Sequence, residues 1–441
     1  MKVRFWGTRG SIATPGPATL HFGGNTSCVE LTTDNGELFV FDCGTGAHPL
    51  ATALLAQGKK AINANILLGH THWDHIQGFP FFSPAFIDGN SVAIYGPEGS
   101  RGSMHDVLAG QMEYTYFPVE LSQLPAKITY HDLSEGIHDI GSARVATQFL
   151  NHPAMTLGYR VKADGVVLVY LVDHEPFSDE LWRAGSVPGR IESILHDGDR
   201  RHAEFMADAD LVIHDAQYTP EEYASKKNWG HSSYDYVVQI AAAAGVRRLV
   251  LTHHDPAHDD AFVVDIERKA RALALQCGTG LEVLCAYEGC ELLLEPHFPV
   301  KTFVTANPFP AAVAKLRFHI LVVDDQADTL MLIVRALETD GHKVSQATSG
   351  PEALRMVEEH MPDLVVLDYK MKGMDGMEVV KTLRAKTETK LLPVLMLTAM
   401  TDEPSTRAGF EAGVTDYVTK PFSNPQLSAR VRACLARTQL P

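Results

Sequence analysis

His70-Thr71-His72-Trp73-Asp74-His75 places four potential metal ligands within six residues, directly after the apolar run 64–68 and the turn residue Gly69. This spacing predicts a loop at a strand end, where all four side chains can turn inward together. Two imidazoles at i and i+2 can grip one dication while Asp74 and His75 grip a neighbour. Desolvating so many ionisable groups without a cation would be costly. The stretch therefore reads as a dinuclear metal cluster rather than as a histidine-rich polar turn.

Working outward, ligand-type residues close other apolar runs. His152 follows 145–150, Asp173 ends 166–172, His214 and Asp215 end 211–215, and His253 and His254 follow 248–251. Any one of these is an ordinary strand-end polar group; four such strand ends, five with the one after 64–68, argue for one shared site. The same runs, with 28–32, 38–42 and 92–95, read as strands. Helical patterns lie at 45–57, 234–244 and 259–276, so the region is α/β with more strands than a simple parallel sheet needs. Two packed sheets flanked by helices are expected.

At 441 residues the chain exceeds what one hydrophobic core usually serves. Hydrophobic residues make up 45% and charged residues 21%, enough to fold throughout. The net charge of −16 is uneven: residues 317–441 hold 15 Lys+Arg and 17 Asp+Glu, which leaves −14 for residues 1–316. That balance argues against a long nucleic acid as substrate and leaves small substrates open, because bound dications reverse the local field. The start lacks a basic cluster followed by an apolar segment, and no stretch has the length of a membrane span, so a cytoplasmic location is expected. Cys28, Cys43, Cys277, Cys285, Cys290 and Cys434 show no zinc-type CxxC pairing and read as reduced structural thiols.

From 296 to 316 the prolines of Pro-Val-Lys-Thr-Phe-Val-Thr-Ala-Asn-Pro-Phe-Pro discourage regular elements, and this segment reads as a linker. Beyond it five strand-then-helix repeats follow, with strands at 320–323, 344–347, 364–367, 394–397 and 417–418: a doubly wound parallel domain. The expected organisation is thus a domain at 1–295, the linker at 296–316 and a second domain at 317–441.

The first domain resembles the metallo-β-lactamase superfamily, specifically its phosphodiesterase branch of tRNase Z and cyclic phosphodiesterases. The HxHxDH cluster carries the resemblance, with His152 in Asn-His-Pro-Ala-Met-Thr, Asp173 in Val-Tyr-Leu-Val-Asp, His253 in Leu-Thr-His-His-Asp-Pro, and the opening Gly-Thr-Arg-Gly-Ser-Ile. It implies an αββα sandwich, one metal on His70, His72 and His152, a second on Asp74, His75 and His253, and Asp173 bridging. His254 would stand behind the ligands. Zinc is the first choice, with manganese or iron also compatible with mixed His/carboxylate ligands. Such a pair lowers the pKa of a shared water toward ~7, which makes the chemistry hydrolysis, with Asp74 among the catalytic residues.

Asp215, and His231 in Trp-Gly-His-Ser-Ser, resemble the acid–histidine pair that donates a proton in tRNase Z and its relatives. A carboxylate beside an imidazole raises its pKa, so that it can protonate a departing alkoxide. The acid in tRNase Z is normally glutamate, and no basic Gly-rich insertion for gripping tRNA is visible. A cyclic nucleotide or similar small phosphodiester is therefore expected ahead of an RNA endonuclease, a lactonase or thioesterase, or a binding module with a silent metal site. The aromatics of 111–118 read as core or dimer residues, with base stacking as the alternative.

The second domain resembles a response-regulator receiver, a flavodoxin-like fold with a five-stranded parallel sheet. Asp324 and Asp325 end its first strand, Asp368 its third and Thr398 its fourth, with Lys420 after the fifth. Three carboxylates at one sheet edge suit Mg²⁺. The resemblance implies that Asp368 accepts phosphate from a sensor histidine kinase or small phosphodonor, and that Asp324 and Asp325 hold Mg²⁺. Thr398 and Lys420 would contact the phosphoryl group, and Tyr417 would act as the aromatic switch. Lys372 stands where such domains usually carry proline. Phosphorylation is expected to regulate the hydrolase, in a homodimer.

Overall fold

The computed structural model describes residues 1–97, 102–296, 317–386, 388–390, 392–398, 413–420, 422, 427–428, 430–431 and 434–435. Contacts divide the chain into two units, Met1–Ala312 and Val313–Pro441. Of the expected linker only Pro296 is among the described residues.

In the first unit two seven-stranded sheets pack face to face. One runs, in spatial order, Glu291–Leu293, Lys2–Gly7, Cys28–Thr32, Leu38–Phe41, Asn63–Leu67, Ser91–Pro97 and Lys127–Leu133. The other runs Glu282–Cys285, Arg248–Thr252, Leu211–Asp215, Val166–Leu171, Leu157–Ala163, Ala143–Phe149 and Gly136–Ile140. Because side chains alternate along a strand, Leu168 and Tyr170 enter the core between the sheets beside Phe5, Phe39 and Phe41. Val169 and Leu171 face the opposite way, against the helices Asp197–Met206, Tyr234–Ala243 and Asp260–Cys277. On the far side of the first sheet, Val40, Ile66 and Ile94 meet the helices Ala47–Ala56 and Met104–Gln111. Helices therefore cover both outer faces, the αββα arrangement. Strands covered on both sides read as continuous apolar runs, which is why they stood out in the sequence.

Strands Leu38–Phe41 and Asn63–Leu67 are parallel neighbours, as are Val166–Leu171, Leu211–Asp215 and Arg248–Thr252. Their C-terminal ends consequently open on one edge, where loops can converge.

The second unit holds a parallel sheet in the order Lys343–Ala347, His319–Val323, Leu364–Asp368, Val394–Thr398 and Asp416–Thr419. Leu321, Val323, Val365 and Leu367 pack on one face, Ile320, Val322, Leu364 and Val366 on the other. This is the 2-1-3-4-5 doubly wound order. Among the described residues no helix is long and apolar enough to cross a membrane.

Candidate metal centre

The stretch 70–75 begins as the expected loop but does not stay one. His72 is extended (φ −65°, ψ 153°) and caps a short helix, Trp73–Ile76, so Asp74 and His75 sit on a helical turn. The turn closes because the His75 N–H donates to the His72 carbonyl at 3.0 Å, and it swings Asp74 and His75 to the buried side while Trp73 is 76% exposed.

The structure brings all seven expected ligand residues together in two groups. His70, His72, His152 and Asp173 present ligand atoms within 4.8 Å of one another, and so do Asp74, His75 and His253. Asp173 faces both: Oδ2 lies 3.4 Å from His70 Nε2 and 3.6 Å from His152 Nε2, while Oδ1 lies 3.4 Å from His75 Nε2 and 3.1 Å from His253 Nε2. Asp74 Oδ2 is 3.3 Å from His75 Nε2 and 3.2 Å from His253 Nε2. Buried polar atoms normally have partners, yet among the described residues His70 Nδ1 and Nε2, His75 Nε2 and Asp173 Oδ1 have none with hydrogen-bond geometry. A cluster of buried donors aimed at common space fits a pair of divalent cations. Burial pushes the pKa of His70 and His72 down and that of His152 down to about 4. The carboxyls of Asp74 and Asp173 are held well below the usual range, since the surrounding imidazoles outweigh their burial. Neutral imidazoles and ionised carboxylates are the protonation states that metal ligation requires; His75 differs, because its burial is outweighed by Asp74, Asp173 and Asp42, which push its pKa up.

Several residues that the sequence reading passed over back these ligands. Asp42 follows strand Leu38–Phe41 with φ +58°. Its Oδ1 accepts the Gly69 N–H at 2.7 Å, and its Oδ2 accepts the Tyr170 hydroxyl at 2.6 Å and lies 2.7 Å from His75 Nδ1. A proton held on Nδ1 leaves Nε2 of His75 as the ligand atom. In the same way His152 Nδ1 donates to the Gly230 carbonyl at 3.0 Å, and His253 Nδ1 lies 3.1 Å from Gln217 Oε1. The Ser11 N–H donates to Asp74 Oδ2 at 2.7 Å. Ser11, Asp42, Asp173 and His253 all adopt left-handed φ, between +58° and +65°. Such conformations cost energy in non-glycine residues and gather at functional sites. Asp42 closes an apolar run as the other candidates do, and that was the available signal.

Asp215 and His231 meet as expected, Oδ2 to Nδ1 at 2.6 Å. Asp215 Oδ1 also accepts the Gln217 N–H at 3.0 Å, which fixes the carboxylate. Burial alone would lower the His231 pKa; Asp215 outweighs it and the imidazole is pushed up to about 9. His231 lines a cavity of about 460 Å³ with Ser11, Thr71, His72, Trp73, Asp74 and Asp173. His214 and His254 lie outside the cluster. The former points its Nε2 at His202 Nε2, 2.8 Å away, and the latter bonds the Ala286 carbonyl at 2.9 Å. Tyr114 and Tyr116 are exposed rather than core, whereas Phe117 packs edge-on against Phe81.

In the second unit Asp324, Asp325 and Asp368 cluster with ligand oxygens within 4.8 Å of one another. Lys420 reaches between them, its Nζ 2.8 Å from Asp324 Oδ2 and 2.9 Å from Asp368 Oδ1. Burial raises the Asp368 pKa against the pull of Lys420. Thr398 ends its strand and its carbonyl accepts the Lys420 N–H at 2.7 Å; Tyr417 is half-buried on the neighbouring strand. The Lys372 N–H donates to Asp325 Oδ2 at 3.0 Å, a bond that proline at this position would lack.

Residues 38–254 match the family described as beta-lactamase superfamily domain, and residues 320–432 match response regulator receiver domain. The phosphate regulon transcriptional regulatory protein PhoB of Rhizobium meliloti is 41% identical over 120 residues, covering 27% of this chain and 53% of that protein. The chain spans about half the length of the curated relatives it matches. A putative response regulator from Chloroflexus aurantiacus is 39% identical, covering 28% of this chain and 100% of that one, with a TM-score of 0.27. The short form of human tRNase Z is 22% identical, covering 66% and 99%, with a TM-score of 0.44.

Proposed function

We propose, from a chain that belongs to the β-lactamase superfamily through residues 38–254 and to the receiver family through residues 320–432, that it is a metal-dependent phosphodiesterase under phosphorylation control. Its substrate is a cyclic nucleotide or similar small phosphodiester. The observation that carries this reading is the Asp215–His231 pair, 2.6 Å apart, in which buried Asp215 stands behind His231 and His231 lines the cavity that Asp74 and Asp173 also line. A thiolate leaves a thioester without a proton, whereas the alkoxide expelled from a phosphodiester needs a donor; a lactone also expels an alkoxide, so it belongs among the substrates compared.

His70, His72 and His152 would hold one metal and Asp74, His75 and His253 the other, with Asp173 between them. Zinc is preferred over manganese or iron. Bound there, the metals supply Lewis acidity and a water acidified to react near neutral pH. Asp215 keeps the His231 proton on Nδ1 and stabilises the imidazolium, so Nε2–H faces the cavity as the donor to the leaving oxygen. Trp73 offers an exposed indole face at the cavity wall, suited to a planar base, and the cavity volume is of the size that takes a small ligand.

In the second unit the all-oxygen cluster of Asp324, Asp325 and Asp368 suits Mg²⁺, and Asp368 is the acceptor of phosphate from a histidine kinase or small phosphodonor. Lys420 and Thr398 would contact the phosphoryl group, and Tyr417 would report its arrival.

The test is hydrolysis of 3′,5′- and 2′,3′-cyclic nucleotides, cyclic dinucleotides, a tRNA precursor and a lactone by full-length protein of measured metal content. His231→Ala should lower kcat on the phosphodiester by roughly 10²- to 10⁴-fold. Unchanged turnover in that variant, or hydrolysis of the lactone alone, sinks the reading. Beryllofluoride should change turnover or oligomeric state; if both stay constant, the regulatory half fails.

A further inference from the structure

Glu175 lies two residues beyond Asp173 and is buried. Its N–H donates to the Asn151 carbonyl at 2.8 Å, and the Asn151 amide donates back to the carbonyls of Glu175 and Pro176 at 2.8 and 3.1 Å. The segments carrying Asp173 and His152 are thereby stitched together. The Glu175 carboxylate points at a third segment: Oε1 accepts the Asn228 N–H at 2.6 Å and the Tyr223 hydroxyl at 3.0 Å, and Oε2 accepts the Gly230 N–H at 2.8 Å.

Asn228 and Gly230 have φ of +69° and +89°, which winds the turn so that two N–H groups converge on one anion. Charge-assisted bonds of this kind are the strong ones. What the turn presents is the point. The Gly230 carbonyl accepts from His152 Nδ1, and the next residue is His231. The approach is close: a Cβ at position 230 would sit 2.1 Å from His152 Nδ1.

We propose that Glu175 is a positioning residue that sets His152 and His231 at once by holding the 226–231 turn. One carboxylate thereby couples the aim of a metal ligand to that of the proton donor. The proposal rests on the reading of those two histidines given above.

Glu175→Gln keeps the shape but offers one acceptor oxygen, so one turn N–H must face an amide N–H₂. Two measurements on the full-length protein test it. Zinc affinity, read by competition with a chromophoric chelator, should weaken by about tenfold or more for one of the two ions. The kcat for a diester with an alkoxide leaving group should fall several-fold more than that for a p-nitrophenyl diester, with KM little changed. Combined with His231→Ala, the two losses should be well short of multiplicative.

Wild-type zinc affinity in Glu175→Gln, equal losses on both leaving groups, or fully multiplicative losses would each overturn the proposal. Should Glu175→Gln not fold, Tyr223→Phe decides, because it removes the hydroxyl that holds Glu175 Oε1 and so loosens the carboxylate that aims the turn, without setting an amide against the turn N–H groups. A smaller shift of zinc affinity in the same direction at an unchanged Tm supports the proposal, and no shift overturns it. If the wild type hydrolyses no phosphodiester, the proposed function fails, and zinc affinity alone decides the role of Glu175.

Discussion

Both clusters stand at the C-terminal ends of parallel strands, yet they are built on opposite plans. In the first unit the ligand-type atoms belong mostly to imidazoles, and a second set of residues aims many of them. Asp42 stands behind His75, the Gly230 carbonyl behind His152, Gln217 behind His253 and the Ser11 N–H on Asp74. In the second unit the atoms are carboxylate oxygens, and their near neighbour is a cation, Lys420, inserted among them. A backed cluster is preorganised for ions that stay. A cluster already partly neutralised by a side chain is suited to an ion and a phosphoryl group that come and go.

The largest expected effect comes from the atom pair common to both metal groups. Asp173→Ala removes the carboxylate that faces His70 and His152 with one oxygen and His75 and His253 with the other. Phosphodiester hydrolysis should fall to the assay background, and the purified protein should lose at least one of two metal ions by mass spectrometry. Full metal content in that variant would mean that the two groups bind independently and that Asp173 bridges nothing.

A smaller effect should come from behind the ligands. In Asp42→Asn an amide must face either the Gly69 N–H or the side of Tyr170 and His75. If it faces His75, the ring proton moves to Nε2 and the ligand lone pair is lost. Metal affinity should weaken by roughly 10- to 100-fold, and the buried donor left unmatched should cost about 1–3 kcal/mol of stability. Retained zinc affinity with lowered Tm would reduce Asp42 to a packing role.

The distinction between ligands and their backing also marks what was legible in the sequence. His70, His152, Asp173 and His253 each close or follow an apolar run, so position and residue type coincide, and the strands themselves were visible because they are buried on both faces. Asp42 has the same placement, but its partner His75 is 33 residues away. Nothing local tells a carboxylate behind a ligand from a strand-end aspartate. Glu175 was harder still, since it bonds backbone N–H groups 53 and 55 residues further on, and backbone groups leave no trace in residue type. The left-handed turns at Ser11, Asp42, Asp173 and His253 are likewise set by tertiary contacts. The helix Asp197–Met206 escaped because its first turns are Asp-Gly-Asp-Arg-Arg-His, although Ala203, Phe205 and Met206 are core residues. Strand Lys2–Gly7 carries no continuous apolar run: Val3 and Phe5 face the core between the sheets, Trp6 packs on the opposite face, and charged Lys2 and Arg4 alternate with Val3 and Phe5.

The smallest effect should have the opposite sign, and it sharpens the contrast most. Lys420 holds its ammonium 2.8 Å from Asp324 and 2.9 Å from Asp368, where it stabilises the carboxylates and repels a dication. In Lys420→Ala the three carboxylates lose that charge and are left for Mg²⁺ to neutralise. Affinity for Mg²⁺, measured by calorimetry on the full chain, should rise, by about fivefold for a change of ~1 kcal/mol at these separations in a solvent-accessible site. If Lys420 contacts the phosphoryl group as proposed, the same variant should also lose its response to beryllofluoride. Replacing a neighbour would then tighten the second cluster, where replacing Asp42 loosens the first. Weaker Mg²⁺ binding in Lys420→Ala would show instead that the lysine orders the carboxylates, and that both clusters are preorganised in the same way.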